Sequence, residues 1–178
     1  YALQFDGIND YVKIKDNNNL DFDNESFSIN AWVKLNNLGN KQVLLMKKDD
    51  EGVSDNESNY NLYVQAGSSG TTGNEIAFQM GNGVDNREIV VSDLEITDNN
   101  WHYVSFVFKA KTDEIIFHLD NQIDYKTTSI NPVSNEYPLF IGKHNSNDGS
   151  DDYLFNGKMI ELKSNLPADL KQIIQKYE

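Results

Sequence analysis

The sequence contains no cysteine, only three prolines and no long uninterrupted run of apolar residues. Without cysteine, no disulfide bond supports the fold and no thiol is available for catalysis. No segment approaches the ~20 apolar residues of a membrane-spanning helix, so we do not expect insertion into a membrane. A nucleophile motif, a phosphate-binding loop and a zinc-ligand cluster are also missing. The function therefore has to be inferred from the fold.

Acidic residues outnumber basic ones, which gives the 178-residue chain a formal net charge of −13. Because binding to nucleic acid needs a basic surface, this charge argues against a nucleic-acid partner. Two interpretations of the acidic residues stay open. Acidic loops keep the domain soluble, or clustered carboxylates bind a cation such as calcium.

Short segments in which apolar and polar residues alternate recur along the chain. In residues 27–35, for example, Phe27, Ile29 and Val33 share one face, and Phe106 lies on the corresponding face of residues 101–108. This period of two is typical of strands with one buried side. Clusters of Asn, Asp, Gly and Ser separate the segments. The sequence therefore predicts an all-β fold, a two-sheet antiparallel jelly-roll sandwich.

The C-terminal segment has a different pattern. Pro167 suits the first turn of a helix. An apolar stripe at helical spacing follows, formed by Leu170, Ile173, Ile174 and Tyr177. We predict a short C-terminal helix that packs on the sandwich. We also predict that residues 1–178 form a single domain, excised from a larger protein in which it adjoins other domains.

Several segments, taken in chain order, resemble a laminin G-like domain. They include Phe5-Asp6-Gly7-Ile8-Asn9-Asp10-Tyr11-Val12, Trp101-His102-Tyr103-Val104 and Phe155-Asn156-Gly157-Lys158-Met159-Ile160-Glu161-Leu162. The series is similar to laminin G-like domains of the concanavalin A-like lectin and glucanase superfamily. This resemblance implies the sandwich fold. It implies no single function, because the same sandwich serves lectins, adhesins, enzymes and spacers.

The resemblance also implies a calcium ion that joins the first and last strands. Ile160 stands where the family often has an aspartate near that ion, which leaves Asp6, Asp10 and Glu161 as ligands. A second candidate is the loop 147–152, where Asp148 and Asp151 supply carboxylate oxygens of the kind that calcium binds. The alternative for this loop is an acidic segment without a metal.

Polar and aromatic residues occupy the strand faces opposite the predicted core. If the strands lie in one sheet, that face can bind sugars, because aromatic rings stack on pyranose faces and amides bind hydroxyls. The alternatives are an ordinary hydrated face and a framework role for the tryptophan. The predicted ligand-binding residues on this face are Trp32, Asn61, Tyr63, Gln65 and Gln79.

Three loop residues complete the predicted ligand site. Arg87 is the only arginine of the chain, and its planar guanidinium suits a carboxylate or sulfate on an acidic sugar. His144 and Tyr153 flank the last polar loop. The alternatives are a structural salt bridge for Arg87 and solvated loop positions for the other two.

These features predict a non-catalytic carbohydrate-binding module of a secreted or cell-surface protein, with a polysaccharide or other glycan as its partner. The alternative is a protein–protein adhesion module or a structural spacer. Retaining glycosidases hold two carboxylates ~5 Å apart. The sequence shows no alternating acidic run of that kind, so we do not expect an enzyme.

Overall fold

The computed structural model describes residues 2–48, 60–66, 73–82, 86–144 and 153–164. In these ranges the chain forms two six-stranded antiparallel sheets, which confirms the predicted all-β sandwich. One short 3-10 helix, Asn18–Leu20, precedes the third strand. The predicted C-terminal helix lies outside the described residues.

Sheet A contains the first and the last strand of the described chain, which pair with each other. Its order is β1 (Leu3–Asp6), β12 (Asn156–Ser164), β3 (Phe27–Leu35), β8 (His102–Lys109), β9 (Glu114–Leu119) and β10 (Gln122–Thr127). Strands β1 and β12 are antiparallel, with Leu3 opposite Met159 and Asp6 opposite Asn156.

Sheet B packs against sheet A. Its order is β2 (Val12–Ile14), β11 (Leu139–Ile141), β4 (Gln42–Lys47), β5 (Tyr60–Val64), β6 (Glu75–Gly81) and β7 (Arg87–Glu95). Strands β3 and β8 therefore belong to one sheet, whereas β5 and β6 belong to the other. The condition that these four strands lie in one sheet, on which the predicted common binding face depended, is therefore not met. Alternation shows which residues share a strand face, but long-range pairing decides which sheet a strand joins.

Aromatic rings fill the space between the sheets. Phe78 of sheet B and Phe106 of sheet A are stacked with their centroids 3.6 Å apart, and Phe27 packs against both at 6.0 and 5.7 Å. Phe27 and Phe106 are buried, as their alternating positions predict. Burial of large rings in this layer is the main source of stability for a sandwich without disulfides.

Polar contacts connect the edge strands β7 and β10, which lie side by side although they belong to different sheets. Asp124 Oδ2 accepts hydrogen bonds from Ser92 Oγ at 3.0 Å and from Asp93 N at 2.8 Å. Glu88 Oε2 accepts from Ser129 N at 2.7 Å and from Ser129 Oγ at 2.9 Å. Burial alone would raise the pKa of Glu88, but the hydrogen bonds from Ser129 and Thr128 outweigh it and lower that pKa.

A buried lysine is held near the 3-10 helix. Lys47 has a fully buried side chain, and its Nζ lies 2.8 Å from Asp16 Oδ1 and 3.1 Å from Asp21 Oδ1. The contact with Asp16 is an ion pair whose angles do not suit a hydrogen bond. Nζ also donates to Asn135 Oδ1 at 2.8 Å. Four partners, counting the Asn135 carbonyl, compensate the cost of burying this charge.

Candidate functional site

Two rows of outward-facing side chains cross sheet B, and we call them together the outer face of sheet B. The strand register defines the first row as Lys13, Phe140, Met46, Asn61, Gln79 and Ile89. It defines the second row as Val43, Tyr63, Ala77 and Val91. The centre of this face is closed and its β7 edge is open, since Asn61 is 1% exposed and Ile89 is 43% exposed.

The amide of Asn61 stands in the middle of the first row. Neither its Nδ2 nor its Oδ1 makes a hydrogen bond within the described part of the chain. A buried polar group left without a partner costs roughly 1–3 kcal/mol. Such groups are uncommon in native proteins and mark a place for a water molecule or a ligand. Gln79, 4% exposed, is its direct cross-strand neighbour, so two amides lie side by side.

A lysine and two tyrosines form a second feature of this face. Lys41 Nζ lies 4.5 Å from the ring centroid of Tyr63 and 4.4 Å from that of Tyr153. The ring of His144 meets that of Tyr153 edge to face at 5.3 Å. Because the ring of Tyr63 is buried beneath Lys41, it is not an exposed stacking platform of the predicted kind.

The outer face of sheet B thus brings together five predicted ligand residues that are distant in the sequence: Asn61, Tyr63, Gln79, His144 and Tyr153. Sequence analysis missed Lys41. Lys41 lies in a loop, where no alternation of apolar and polar residues marks it as a binding residue. Only the fold brings its ammonium group over two tyrosine rings.

Arg87 and Gln65 lie at the margins of sheet B. Arg87 opens the edge strand β7 opposite Gly81 and has an exposed side chain. It lies on the same side of the strand as Ile89, so it belongs to the open edge of the outer face. Gln65 follows β5, where its N–H donates to Glu75 O at 2.8 Å. Its backbone bonds therefore anchor the end of that strand.

Trp32 is on the opposite side of the molecule. It lies on the outer face of sheet A, paired with Tyr103, and its side chain is 37% exposed. Tyr63 lies on sheet B, so the two rings do not form one groove. A face shared by Trp32 and Tyr63 required their strands to lie in one sheet, and they lie in two.

The predicted calcium ligands of the first loop have structural partners. Asp6 Oδ1 accepts hydrogen bonds from Ile8 N at 2.7 Å and Asn9 N at 3.2 Å, and Asp10 Oδ2 accepts from Asp6 N at 3.0 Å. These backbone donors, Ile8 first, lower the pKa of Asp6. Both carboxylates thus stabilise the turn between β1 and β2.

Among the described residues, no group of three or more His, Cys, Asp or Glu side chains could hold a metal ion. The side chain of Glu161 lies outside the described part, as do Asp148 and Asp151. The calcium site stays a prediction.

A family model described as "Concanavalin A-like lectin/glucanases superfamily" matches residues 6–164. The chain belongs to this superfamily, as a laminin G-like domain. No curated protein sequence matches it significantly. In the described part of this laminin G-like domain, no helix has the length and apolarity needed to cross a membrane.

Solved structures with low sequence identity share the fold of this laminin G-like domain. One is a Bacteroides ovatus protein proposed to bind carbohydrate, with 17% identity and a TM-score of 0.67 over 92% of this chain and 42% of that one. Domains LG4-5 of the mouse laminin alpha1 chain show 15% identity and a TM-score of 0.63, over 92% and 40% of the two chains.

A third similar structure is domain 4 of an extracellular GH43 arabinanase from Geobacillus stearothermophilus, in complex with arabinotriose. It shows 15% identity and a TM-score of 0.61 over 92% of this chain and 69% of that one. The laminin G-like domain spans about two fifths of the chain length of the first two structures.

Proposed function

We propose that this laminin G-like domain is a non-catalytic carbohydrate-binding module of a secreted or cell-surface protein, with its glycan on the outer face of sheet B. The observation that carries the proposal is the amide of Asn61, which is 1% exposed and lacks a hydrogen-bond partner in the described residues. An amide offers one acceptor and one two-proton donor. Adjacent sugar hydroxyls supply the matching donor and acceptor.

The surroundings of Asn61 fit such a ligand. Gln79 doubles the number of amide groups beside it. Towards β7 the face opens, through exposed Ile89 to the guanidinium of Arg87. We propose that a glycan enters from this edge and reaches the amides, where hydrogen bonds out of contact with bulk water are stronger than at the surface. Two of the similar structures support a sugar ligand, since one is proposed to bind carbohydrate and one holds arabinotriose.

Calcium and additional domains complete the proposal. Calcium would bind near Asp6, Asp10 and Glu161, or near Asp148 and Asp151, and would order the loops rather than take part in chemistry. The parent protein would carry additional domains, as the partial coverage of the first two similar structures suggests. A rise in the unfolding temperature with calcium that EDTA reverses would support the metal site.

The test is thermal unfolding of wild type and Asn61→Leu in the presence of soluble arabinan, dextran and polygalacturonate. A glycan that binds only the folded state raises the unfolding temperature. Leucine replaces the unsatisfied amide with an apolar group of similar size. We therefore expect the variant to be at least as stable as wild type without glycan, and to lose the shift that a bound glycan causes.

The matched control is Gln122→Leu, an amide-to-leucine change at an exposed position of β10 in sheet A. It should keep the full glycan shift. The proposal fails if no polysaccharide stabilises the wild type, or if Asn61→Leu responds as strongly as the control.

A protein–protein adhesion role has one observation in its favour. Ile89, Val91 and Tyr125 are 43%, 37% and 60% exposed and line a shallow groove of about 500 Å³ between β7 and β10. Exposed apolar side chains of this kind favour a protein partner. Tyr125→Ala separates the two roles, because we expect it to leave every glycan-induced shift unchanged.

A further inference from the structure

The two tryptophans of the chain lie together on the outer face of sheet A. Trp32 of β3 is paired with Tyr103 of β8. Trp101 lies directly before β8 and two residues before Tyr103, and continuing the strand alternation by one residue places it on the same side, as the diagonal neighbour of Trp32. Diagonal neighbours of this kind lie about 7–8 Å apart. Both indoles are accessible, Trp32 at 37% and Trp101 at 36%.

Two lysines extend this aromatic group. Lys34 and Lys158 are directly opposite each other in the pairing of β3 with β12. The register of β3 with β8 ends at Val33 and His102, and continuing it by one position places Lys34 opposite Trp101. Like charges directly opposite each other destabilise a sheet. In the described ranges neither lysine forms a salt bridge, although the chain carries an excess of acidic residues.

Three acidic side chains from turns at the same side of sheet A, Asp6, Asp98 and Asp120, have partners of their own. His102 Nδ1 lies 2.8 Å from Asp120 Oδ2, and His102 Nε2 lies 3.1 Å from Asp98 Oδ1. Asp6 accepts backbone N–H groups of its own turn. Since no salt bridge in the described ranges involves the lysine pair, its positive charge can pair with an anionic ligand.

A hydrogen bond to a neighbour on the same face holds the ring of Tyr103 in place. Asn30 Oδ1 accepts hydrogen bonds from Tyr103 Oη at 3.2 Å and from Ser105 Oγ at 2.6 Å. The rings of Trp32 and Tyr103 meet at 5.6 Å with an angle of 57°. A surface held in place before binding loses less conformational freedom when a ligand arrives.

We propose that this surface, the tryptophan face (Trp32, Lys34, Trp101, Tyr103 and Lys158), is a second ligand site that binds an anionic polysaccharide. The indoles stack on pyranose rings, and the two ammonium groups pair with carboxylate or sulfate groups of the same sugar chain. The site lies on the opposite side of the sandwich from Asn61, so it does not depend on the function proposed above.

Intrinsic fluorescence tests the proposal directly, because the chain has two tryptophans and both lie on this face. Titration with polygalacturonate tests carboxylate-bearing sugars, dextran sulfate tests sulfated sugars, and dextran tests neutral ones. Poly-L-glutamate supplies negative charge without sugar rings. We expect at least one anionic polysaccharide to change the tryptophan emission, with an affinity that falls as NaCl rises, while dextran and poly-L-glutamate have little effect.

The decisive variant is the double substitution Lys34→Gln and Lys158→Gln. It should fold normally, because it removes a like-charge repulsion, and it should weaken binding of the anionic polysaccharide about tenfold. The control is Lys15→Gln with Lys111→Gln, two exposed lysines elsewhere, which changes the net charge equally. Asn61→Leu should leave the fluorescence titration unchanged, which separates this site from the outer face of sheet B.

The proposal fails if neither anionic polysaccharide changes the tryptophan emission. It also fails if the control double variant loses as much affinity as the lysine-pair variant. A response to poly-L-glutamate equal to that with polygalacturonate would instead indicate an acidic protein partner.

Discussion

His102 Nδ1 and Asp120 Oδ2 are 2.8 Å apart, and this contact joins the start of β8 to the turn between β9 and β10. Asp98 holds the other ring nitrogen at 3.1 Å. Burial alone would lower the pKa of His102, but its hydrogen bonds to Asp120 and Asp98 outweigh burial and raise that pKa above its ordinary value. The charged form of the histidine therefore stabilises the folded chain.

The raised pKa gives stability a predictable pH dependence. The contribution of His102 is fully present below about pH 6.5, its ordinary pKa, and is lost as pH rises through the higher folded value. Because both carboxylates are partly exposed, we expect at most about 1 kcal/mol. The stability difference between wild type and His102→Asn should shrink from pH 5.5 to pH 8 in urea unfolding.

Asp120→Asn is the control for this pH effect. Asp120 has a positive φ of 53°, which asparagine tolerates, so the turn survives while the negative charge is lost. The pH-dependent part of the stability should fall in this variant. An equal pH dependence in wild type and His102→Asn would contradict the assignment.

Lys47→Met should destabilise the fold strongly. The substitution leaves Asp16 and Asp21 without the ammonium group that lies 2.8 and 3.1 Å from them. Removing one partner of a buried ion pair costs about 3–5 kcal/mol, and we expect the lower end because both carboxylates keep some contact with water. Lys126→Met, which breaks the exposed pair with Asp93, should cost less than about 1 kcal/mol. Similar losses for the two variants in urea unfolding would contradict this prediction.

Phe106→Ala tests the core between the sheets. The ring is fully buried and stacked on Phe78, so its removal leaves a cavity and should cost about 3–5 kcal/mol. Val107→Ala, a truncation at a half-buried position of the same strand, serves as the control and should cost much less. A loss below about 1 kcal/mol for Phe106→Ala would mean that the ring does not fill the core.

Gly157→Ala should weaken the pairing of β12 with β3. A Cβ at this position would clash with the carbonyl oxygen of Lys34, so the strands would have to separate. We expect a loss of about 1–3 kcal/mol, the usual range for overpacking. Gly39→Asn is the control, since its Cβ meets open space and asparagine tolerates positive φ. Unchanged stability in Gly157→Ala would indicate that the strands are farther apart.

Local patterns predicted the strands and their buried faces well, because alternation depends on neighbouring residues only. The burial of Phe27 and Phe106 followed from it. The partition into sheets depends on pairing between distant segments, and so the sequence left open whether Trp32 and Tyr63 share a face. The structure places them on different sheets.

The same limit applies to the candidate site. The sequence singled out Asn61 and Gln79, which do lie side by side. It gave no sign that the Asn61 amide lacks a partner or that Lys41 covers Tyr63, because both facts depend on packing between segments far apart in the chain.

The antiparallel pairing of β1 with β12 determines how the domain responds to mechanical force. Leu3 is opposite Met159, and the strands run so that the start of β1 and the end of β12 point to the same end of sheet A. Tension applied between these two ends therefore peels the strands apart, breaking the Leu3–Met159 contact before Gln4–Lys158 and each later pair in turn. Because the hydrogen bonds are loaded one after another and not all in shear, the domain should yield at low force.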